Sequence, residues 1–295
     1  MSTSMGTGRS AIPLSPELVA DLGDLAQAMA AELAELAADM RADGVVLAAL
    51  KSSDVDPVTE ADRAVELRAR ELLAQHRPDD GLLGEEGGKS VEGTSGLTWV
   101  IDPIDGTVNY MYGLPCCVSL AVVWGTPEPE TWTVVAGAIH RIDADIAVAA
   151  TMDSAAIRTR PVVESISVRS EATLGHTLVG TGFGYRSGLR AQQGRIIAEL
   201  LPQVRDIRRA GSAANDLASV AMGALDVYYE LALKPWDFAA GSLIVERAGG
   251  EVLGIADFHE SRLIVAGNPT IAREVRNALI TAGVADVEFE PADLD

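Results

Sequence analysis

The chain reads Trp99-Val100-Ile101-Asp102-Pro103-Ile104-Asp105-Gly106-Thr107 at the point where an apolar run meets two aspartates. Residues 97–102 predict a short strand that ends at Asp102, and Pro103 stiffens the turn that follows. Two carboxylates on one rigid turn repel each other unless a cation lies between them, so the turn favours a hard divalent metal with oxygen ligands. Gly106 allows close backbone approach, and a helix beginning at Thr107 would offer free N–H groups to a phosphate.

Three further acidic motifs lie on either side of this stretch. They are Gly84-Glu85-Glu86-Gly87, Asp56-Pro57-Val58-Thr59-Glu60-Ala61-Asp62 and Trp236-Asp237-Phe238-Ala239-Ala240-Gly241. Asp62 and Asp237 stand where helices are expected to begin, and a carboxylate is stabilising there without any further role. Paired glutamates are usually solvated. Each motif taken singly therefore favours a structural explanation, and only the combination of motifs points to a common site.

Helix and strand signals alternate along most of the chain. Ser15 and Pro16 predict the start of a first helix, and Thr59 with Asp62 gives a capping-box pattern for a second. The alternation predicts an α/β (α+β) fold in which helices cover sheet. We expect a flexible N-terminus (1–14), an N-terminal α+β half that carries the metal-binding motifs (15–160) and a C-terminal α/β half that carries the substrate contacts and Asp237 (161–295).

The composition is that of an ordinary globular protein, because 48% of the 295 residues are hydrophobic and 22% are charged. The formal net charge of -20 argues against nucleic acid and anionic membrane as partners. Cys116 and Cys117 are adjacent and give no disulfide framework, so we interpret them as small hydrophobic residues of a buried strand in a reducing cytoplasm. No apolar run approaches the length of a membrane span, and residues 1–10 lack the pattern of a signal peptide.

In this order and at these intervals, the four motifs resemble those of the inositol monophosphatase family. Members of that family carry a strand ending in D-P-I-D-G-T, preceded by G-E-E and D-x-V-T-x-A-D and followed downstream by W-D-x-A-A-G and E-A-G-G. The last motif reads Glu246-Arg247-Ala248-Gly249-Gly250 here, with Arg247 interposed. The resemblance covers residues 16–283 and implies a layered α-β-α-β-α sandwich of the inositol monophosphatase and fructose-1,6-bisphosphatase type.

The resemblance implies a set of Mg²⁺ ligands at the matching positions. Glu85, Asp102 and the backbone carbonyl of Ile104 would hold a first ion. Asp102, Asp105 and Asp237 would hold a second ion, and Glu85 would also help to hold a third, weaker ion through water. All of these ligands are oxygens, which is the donor type that Mg²⁺ prefers.

The resemblance also implies residues for the reaction itself. Asp62 and Thr107 would orient and activate the attacking water. Gly106 and Thr107 would present N–H groups to the phosphate of the substrate. The reaction would need no covalent phosphoenzyme.

Further positions match substrate contacts of the family. Ala213 lies in Ala210-Gly211-Ser212-Ala213-Ala214, a stretch that resembles the backbone segment in contact with the substrate ring. Glu230 matches the family glutamate that binds sugar hydroxyls. Lys51 matches a lysine near the site, and an exposed structural lysine is the alternative interpretation at that position.

The activity implied by the resemblance is Mg²⁺-dependent hydrolysis of a small phosphate monoester, foremost myo-inositol 1-phosphate. The spacing Asp102-x-x-Asp105 argues against the haloacid-dehalogenase phosphatases, which use D-x-D-x-[TV] with the first aspartate as nucleophile. Histidinol-phosphate phosphatases, fructose-1,6-bisphosphatases and nucleotide 3'-phosphatases belong to the same family and stay open as alternatives. Glu230 favours a polyol phosphate among them.

A regulatory or binding protein that kept the fold and lost catalysis is the alternative from another class. It is disfavoured, because every expected metal-binding and water-activating residue is present. The expected partner is a small phosphorylated polyol or a related metabolite. A homodimer and lithium sensitivity are left open.

Three segments depart from the family pattern. The region Thr151–Arg160 lacks the glycines of the G-x-G-A hairpin that many members carry, so we expect a reshaped hairpin there. Tyr110 replaces the more usual Phe after Asn109. The segment Gly180–Arg186 lies where the family varies, and its role is left open.

Overall fold

A computed structural model describes residues 14–51, 56–87, 91–125, 131–170, 173–254 and 263–290 of the chain. The helices in these residues are α1 (Pro16–Asp43), α2 (Glu60–His76), α3 (Thr107–Tyr112), α4 (Ser187–Leu200), α5 (Ala213–Ala221), α6 (Pro235–Arg247) and α7 (Pro269–Thr281). The strands are β1 (Leu47–Leu50), β2 (Pro57–Thr59), β3 (Gly81–Gly84), β4 (Leu97–Asp105), β5 (Cys117–Trp124), β6 (Thr133–Arg141), β7 (Ala147–Thr151), β8 (Ile157–Arg160), β9 (Glu164–Ser165), β10 (Leu178–Thr181), β11 (Asp206–Arg208), β12 (Val227–Leu231), β13 (Glu251–Leu253) and β14 (Leu263–Gly267).

The first two helices begin where the sequence predicts. The Ser15 hydroxyl accepts a hydrogen bond from the Leu18 N–H over 3.2 Å, and Pro16 occupies the first turn of α1. At α2 the predicted capping box is formed: the Asp62 carboxylate accepts from the Thr59 N–H, and the Thr59 hydroxyl accepts from the Asp62 N–H. The capping box therefore fixes the position of the Asp62 side chain as well as the start of α2.

The larger sheet has the strand order β3-β4-β5-β6-β7-β8-β9. β3 runs parallel to β4, and the remaining neighbours are antiparallel. α1 and α2 cover one face of this sheet in a core that includes Leu22, Leu33, Trp99 and Leu120. β4 ends at Asp105 rather than at the predicted Asp102, because after an irregularity the strand pairs again with β5.

The smaller sheet has the order β11-β10-β12-β14-β13. β10 runs parallel to β11 and β12, while β14 is antiparallel to β12 and β13. α4 and α7 cover its outer face in a second core, which includes Leu200, Tyr229, Leu263 and Leu279. This face of the sheet points away from the larger sheet.

Helices α5 and α6 lie between the two sheets. A third core joins both helices to Val100 and Ile139 of the larger sheet and to Tyr228 and Ile264 of the smaller one. Gly137 of β6 allows the close approach of α6, because a Cβ at that position would lie 3.1 Å from the Ala240 Cα. The layers run helices, sheet, helices, sheet, helices, and they confirm the expected α-β-α-β-α sandwich.

The larger sheet continues to Ser165, five residues beyond the predicted boundary at 160, and the smaller sheet begins at Leu178. The division into halves stays a prediction, and residues 1–13 of the expected flexible N-terminus lie outside the described residues. None of the helices that the structure describes combines the length and the apolar character needed to cross a membrane.

Candidate active site

A cleft of about 620 Å³ lies where the end of β4, the first residues of α3, α5 and α6, and the end of β12 come together. Its wall contains every residue that the sequence predicts for the site except Asp62. Those residues are Lys51, Glu85, Asp102, Ile104, Asp105, Gly106, Thr107, Ala213, Glu230 and Asp237. Asp62 lies behind the wall and is fully buried.

Asp62 is linked to the cleft through Thr107. The Thr107 hydroxyl donates a hydrogen bond to Asp62 Oδ1 over 3.0 Å, while Asp62 Oδ2 accepts from the N–H and the hydroxyl of Thr59. Burial raises the pKa of the Asp62 carboxyl above its usual range, and its hydrogen bonds act in the opposite direction. The Asp62 carboxylate, whose raised pKa makes it more basic, thus lies behind the Thr107 hydroxyl at the wall of the cleft.

Asp105 accepts hydrogen bonds from the beginning of α5. The Ser212 hydroxyl donates to Asp105 Oδ2 over 2.7 Å, the Ala214 N–H donates to the same oxygen over 2.6 Å, and the Ala213 N–H donates to Oδ1 over 3.2 Å. Burial raises the pKa of Asp105, and these hydrogen bonds partly offset the effect. Asp105 thus joins the end of β4 to a helix of the layer between the sheets, a role that no local pattern in the sequence indicated.

The four predicted metal-binding carboxylates crowd one side of the cleft. Burial raises the pKa of Asp102 well above its usual range, and the negative charges of Glu85, Asp105 and Asp237 raise it further. Burial, followed by the charges of Asp105 and Glu85, raises the pKa of Asp237 in the same way. Burial also raises the pKa of Glu85 to about 7, although Lys51 opposes this effect. A bound cation would relieve the repulsion within this group.

Lys51 lies between the two glutamates of the second motif. Its Nζ is 2.6 Å from Glu85 Oε1 and 2.5 Å from Glu86 Oε1. Beneath this loop the buried Glu66 accepts a hydrogen bond from the Glu86 N–H over 2.7 Å and pairs with Arg70 over the same distance. Sequence reasoning missed Glu66, although its spacing of four residues from Asp62 places both on one face of α2.

The donor set fits a hard divalent cation. Among the described residues, no three His, Cys, Asp or Glu side chains stand in a ready-made ligand arrangement. The carboxylates are instead held by neighbours, as in Asp237, whose Oδ2 accepts from the Lys234 N–H over 2.6 Å. The predicted ligand side chains Glu85, Asp102, Asp105 and Asp237 nevertheless offer carboxylate oxygens around one cleft, and Mg²⁺ or a similar ion matches that donor chemistry.

The predicted substrate contacts line the same cleft as the carboxylates. Ala213 is the first residue of α5, and Glu230 lies on β12. Burial raises the pKa of Glu230 to about 7, and the Tyr228 hydroxyl, which donates to Glu230 Oε2, counteracts this rise. Arg209 also lines the cleft, and sequence reasoning assigned it no role.

The segment whose role was left open reaches the cleft. The wall of the cleft includes five residues of this segment, Gly182, Phe183, Gly184, Tyr185 and Arg186. The segment connects the end of β10 to the beginning of α4, so its backbone continues directly from a strand of the smaller sheet. Sequence variation within the family at this place would therefore change the shape of the substrate pocket.

Two departures from the family pattern are in contact with each other. Thr151–Arg160 forms a tight turn between β7 and β8, in which the Ser154 hydroxyl accepts from the Thr151 N–H over 2.9 Å. Arg247 Nε donates to the Ser154 carbonyl over 2.6 Å, and the Ala156 N–H donates to the Arg247 carbonyl over 3.2 Å. None of these residues lines the cleft, so the contacts within this turn bear on packing, and a reshaped hairpin stays a prediction.

Three other residues behave as packing groups. The hydroxyl that distinguishes Tyr110 from Phe donates to the Ala37 carbonyl of α1 over 2.8 Å. Cys116 and Cys117 are buried and form no disulfide, as the sequence indicated. Burial raises the pKa of the Cys116 thiol to about 12, which leaves it unreactive near neutral pH.

Comparison with known proteins agrees with this geometry. The profile of the inositol monophosphatase family matches residues 18–286. A protein of Mycobacterium tuberculosis named inositol-1-monophosphatase SuhB is 44% identical over 257 residues, covering 80% of this chain and 82% of its own length. A protein of Xylella fastidiosa named Nus factor SuhB is 36% identical over 253 residues, covering 82% of this chain and 88% of its own.

A solved structure shows the same architecture. The structure titled Mycobacterium tuberculosis SuhB superposes with a TM-score of 0.75 at 39% identity, covering 90% of this chain and 97% of that one. The family match spans most of the chain and includes every motif that lines the cleft. The chain therefore belongs to the inositol monophosphatase family, whose members are metal-dependent phosphatases of small phosphorylated substrates.

Proposed function

We propose that this protein hydrolyses a small phosphate monoester in the presence of Mg²⁺, and that myo-inositol 1-phosphate is its foremost substrate. The observation that carries the proposal is the hydrogen bond from Thr107 to the buried Asp62, at a cleft whose wall bears four carboxylates. A hydroxyl backed by a proton acceptor and a set of cation ligands thus line one space. Relatives named inositol-1-monophosphatase support the choice of substrate.

The metal ligands in this proposal are those expected from the sequence. Glu85, Asp102 and the Ile104 carbonyl would hold one Mg²⁺, and Asp102, Asp105 and Asp237 would hold another. When bound, Mg²⁺ supplies positive charge that offsets the repulsion between a phosphate dianion and an incoming nucleophile, and it increases the acidity of water.

Thr107 and Asp62 would prepare the water for attack. Because the Thr107 proton points to Asp62 Oδ1, the lone pairs of the Thr107 oxygen are left to accept a hydrogen bond from water. The raised pKa of Asp62 makes this carboxylate a better proton acceptor than an exposed one. The water oxygen would bond to phosphorus while the bond from phosphorus to the ester oxygen breaks, and a proton of the water would pass to Asp62 through Thr107. The substrate oxygen would leave and take up a proton to give the free alcohol, so no covalent phosphoenzyme forms.

The remaining wall of the cleft would bind the substrate. We propose that the N–H groups of Gly106 and Thr107 contact the phosphate, and that Lys51 adds positive charge nearby. Ala213 and Glu230, which line the same cleft, would contact the ring and its hydroxyls. A polyol phosphate matches a cleft that combines charged groups with an acceptor for hydroxyls.

The test is phosphate release from a panel of monoesters with and without Mg²⁺. The panel holds myo-inositol 1-phosphate, histidinol phosphate, fructose 1,6-bisphosphate, a nucleoside 3'-phosphate and p-nitrophenyl phosphate. We expect the highest kcat/KM for the inositol ester, no turnover in EDTA and recovery with excess Mg²⁺. Full activity in EDTA would contradict the metal-dependent mechanism, and a preference for another ester would replace the proposed substrate.

A second candidate function is an association with the transcription machinery, favoured by the name Nus factor that one relative carries. It predicts that the chain co-elutes with purified RNA polymerase, and that the phosphatase-inactive Asp237→Asn variant does so equally well. The net charge of -20 argues that such an association would use a protein surface rather than RNA. Absence of co-elution would remove this candidate. The cytoplasm is the compartment that we propose for either function.

A further inference from the structure

The carboxylate of Glu230 is held from below by its own strand. Tyr228 and Glu230 are two residues apart on β12, so their side chains leave the same face of the smaller sheet. The Tyr228 ring is fully buried among α5, α6 and the larger sheet, and its hydroxyl donates to Glu230 Oε2. A rigid, buried ring therefore presents one donor to one defined oxygen of Glu230.

The neighbouring strand confines the same carboxylate from the side. A Cβ built at Gly182, just after β10, would lie 1.9 Å from Glu230 Oε2, 2.2 Å from Cδ and 2.3 Å from Oε1. The three nearest atoms all belong to the Glu230 carboxyl group. Only a residue without a side chain at position 182 leaves room for the carboxylate where it now lies.

The surroundings of Glu230 make such support necessary. In addition to burial, the negative charge of Asp105 raises the pKa of Glu230. The negative charge of Glu230 in turn raises the pKa of Asp216 and of Asp237, again in addition to burial. Arg209 supplies the nearby positive charge. Because like charges repel one another, a long glutamate side chain without a donor would turn away from this group.

We propose that Tyr228 and Gly182 are positioning residues that fix the Glu230 carboxylate and thereby set the preference of the cleft for substrates with ring hydroxyls. This inference rests on the proposed function, in which Glu230 accepts hydrogen bonds from a polyol. With Oε2 engaged by Tyr228, the substrate hydroxyls have Oε1 as their principal acceptor. An acceptor in one orientation discriminates between hydroxyl patterns better than one that rotates freely.

Tyr228→Phe tests the donor. It removes one oxygen atom and keeps the buried ring, and we expect KM for myo-inositol 1-phosphate to rise about tenfold, the effect of a lost hydrogen bond to a charged group. The rise in KM for p-nitrophenyl phosphate, which has no ring hydroxyls, should be at least fivefold smaller than that for the inositol ester. The matched control is Tyr229→Phe, a buried tyrosine of the same strand on the opposite face. It should leave the ratio of the two KM values at the wild-type value.

Gly182→Ala tests the confinement with a variant that does not remove a buried hydroxyl. The three atoms nearest to the added methyl group all belong to the Glu230 carboxyl group, so we expect the carboxylate to move while the backbone keeps its course. We expect a selective loss on the inositol ester at least as large as that of Tyr228→Phe. Gly188→Ala is the control, because a Cβ there meets no atom within 4 Å. Thermal melting of all variants shows whether the fold is kept.

A double-mutant cycle separates positioning from general damage. In a Glu230→Ala background, Tyr228→Phe should add no further loss on myo-inositol 1-phosphate, since the group that it positions is gone. Additive losses would overturn the inference and assign Tyr228 a packing role. Equal losses on both substrates for both single variants would overturn it as well. If Glu230→Ala itself fails to discriminate between the two substrates, the proposed polyol function fails instead, so the two failures are distinguishable.

Discussion

The two oxygens of the Asp62 carboxylate have different partners. Oδ2 accepts from Thr59 and closes the beginning of α2, whereas Oδ1 accepts from the Thr107 hydroxyl at the wall of the cleft. A single residue thus serves a helix and the proposed chemistry. The consequences of replacing Asp62 must be measured separately for stability and for turnover.

We expect Asp62→Asn and Thr107→Ala each to lower kcat by about two to four orders of magnitude, the usual contribution of a general base or positioning group. Asn still accepts from the Thr59 N–H, so its cost in stability should stay near or below about 1 kcal/mol. Mg²⁺ affinity should change little, because neither side chain is a proposed ligand. The measurements are kcat, Mg²⁺ titration and thermal melting.

Thr59→Ala is the control for the helix-capping role of Asp62. It weakens the beginning of α2 and keeps the bond between Thr107 and Asp62 Oδ1. Its kcat should therefore exceed that of Asp62→Asn by at least about tenfold. Normal turnover by Asp62→Asn, or a defect limited to Mg²⁺ binding, would show that the assigned role is wrong.

Asp216 gives the folded protein a pH dependence of stability. Burial, followed by the charges of Glu230 and Asp105, raises its pKa from the ordinary value of 3.8 to about 8. Between these values the folded state holds a proton that the unfolded state has lost, so the free energy of unfolding falls as pH rises through this window. Asn at position 216 does not titrate. We therefore expect the Tm of Asp216→Asn minus the Tm of the wild type, both measured in EDTA, to increase from pH 5 to pH 8. A difference in Tm that stays constant over this range would contradict the assignment.

At the scale of single elements, α5 is the helix most directly joined to the site. Its first turn donates three hydrogen bonds to Asp105, whereas Asp237 accepts one from the beginning of its own helix, α6. Asp105 therefore stabilises the contact between β4 and α5 in addition to its proposed role as a ligand. The contacts of Asp105 predict that its replacement lowers the stability of the fold, separately from any effect on metal binding.

We expect Asp105→Ala to lower the Tm more than Asp237→Ala when both are measured in EDTA, so that loss of metal does not contribute. Each lost capping bond costs about 1 kcal/mol, which corresponds to a few degrees in a protein of this size. Both variants should lack measurable phosphatase activity in Mg²⁺. Equal Tm values would show that the α5 contacts of Asp105 contribute nothing to stability.

At the scale of the whole molecule, the proposed ligands come from separate elements. Glu85 follows β3, Asp102 and Asp105 lie on β4, and Asp237 lies in the first turn of α6 between the two sheets. An ion bound to these groups would tie the larger sheet to the layer of helices beside it. It would also remove the repulsion that raises the pKa of Asp102 and Asp237.

We therefore expect the Tm to rise with Mg²⁺ concentration, because a ligand that binds only the folded state stabilises it by about 2.7 kcal/mol at a hundred times its Kd. Asp237→Asn should reduce this rise, and NaCl at matched ionic strength is the control for screening. Removal of Mg²⁺ by EDTA should return the Tm to the metal-free value. A Tm that does not respond to Mg²⁺, in a protein whose activity requires it, would contradict ligation across these elements.

Much of the architecture follows from local patterns. The capping residues Ser15 and Thr59 mark the starts of α1 and α2, because a cap is a contact over three residues and is visible in sequence. The end of β4 and the continuation of the larger sheet to Ser165 are not visible in this way. Both depend on pairing with strands that lie elsewhere in the chain.

From the amino-acid sequence, the order of strand, turn and helix signals predicted helices that cover sheet, because those signals are local. The order and spacing of the acidic motifs carried the family resemblance, which implied the layered sandwich and the acidic residues of the cleft. Only the tertiary structure decided how these residues are used. It showed that Asp105 holds α5, that Glu66 supports the loop of Glu85, and that Tyr228 and Gly182 confine Glu230. Except for the contact between Tyr228 and Glu230 within one strand, these relations join residues distant in the chain, so they exist only after the sheets and helices have packed. The Tyr228 hydroxyl is held in place by the packing of its ring between the two sheets.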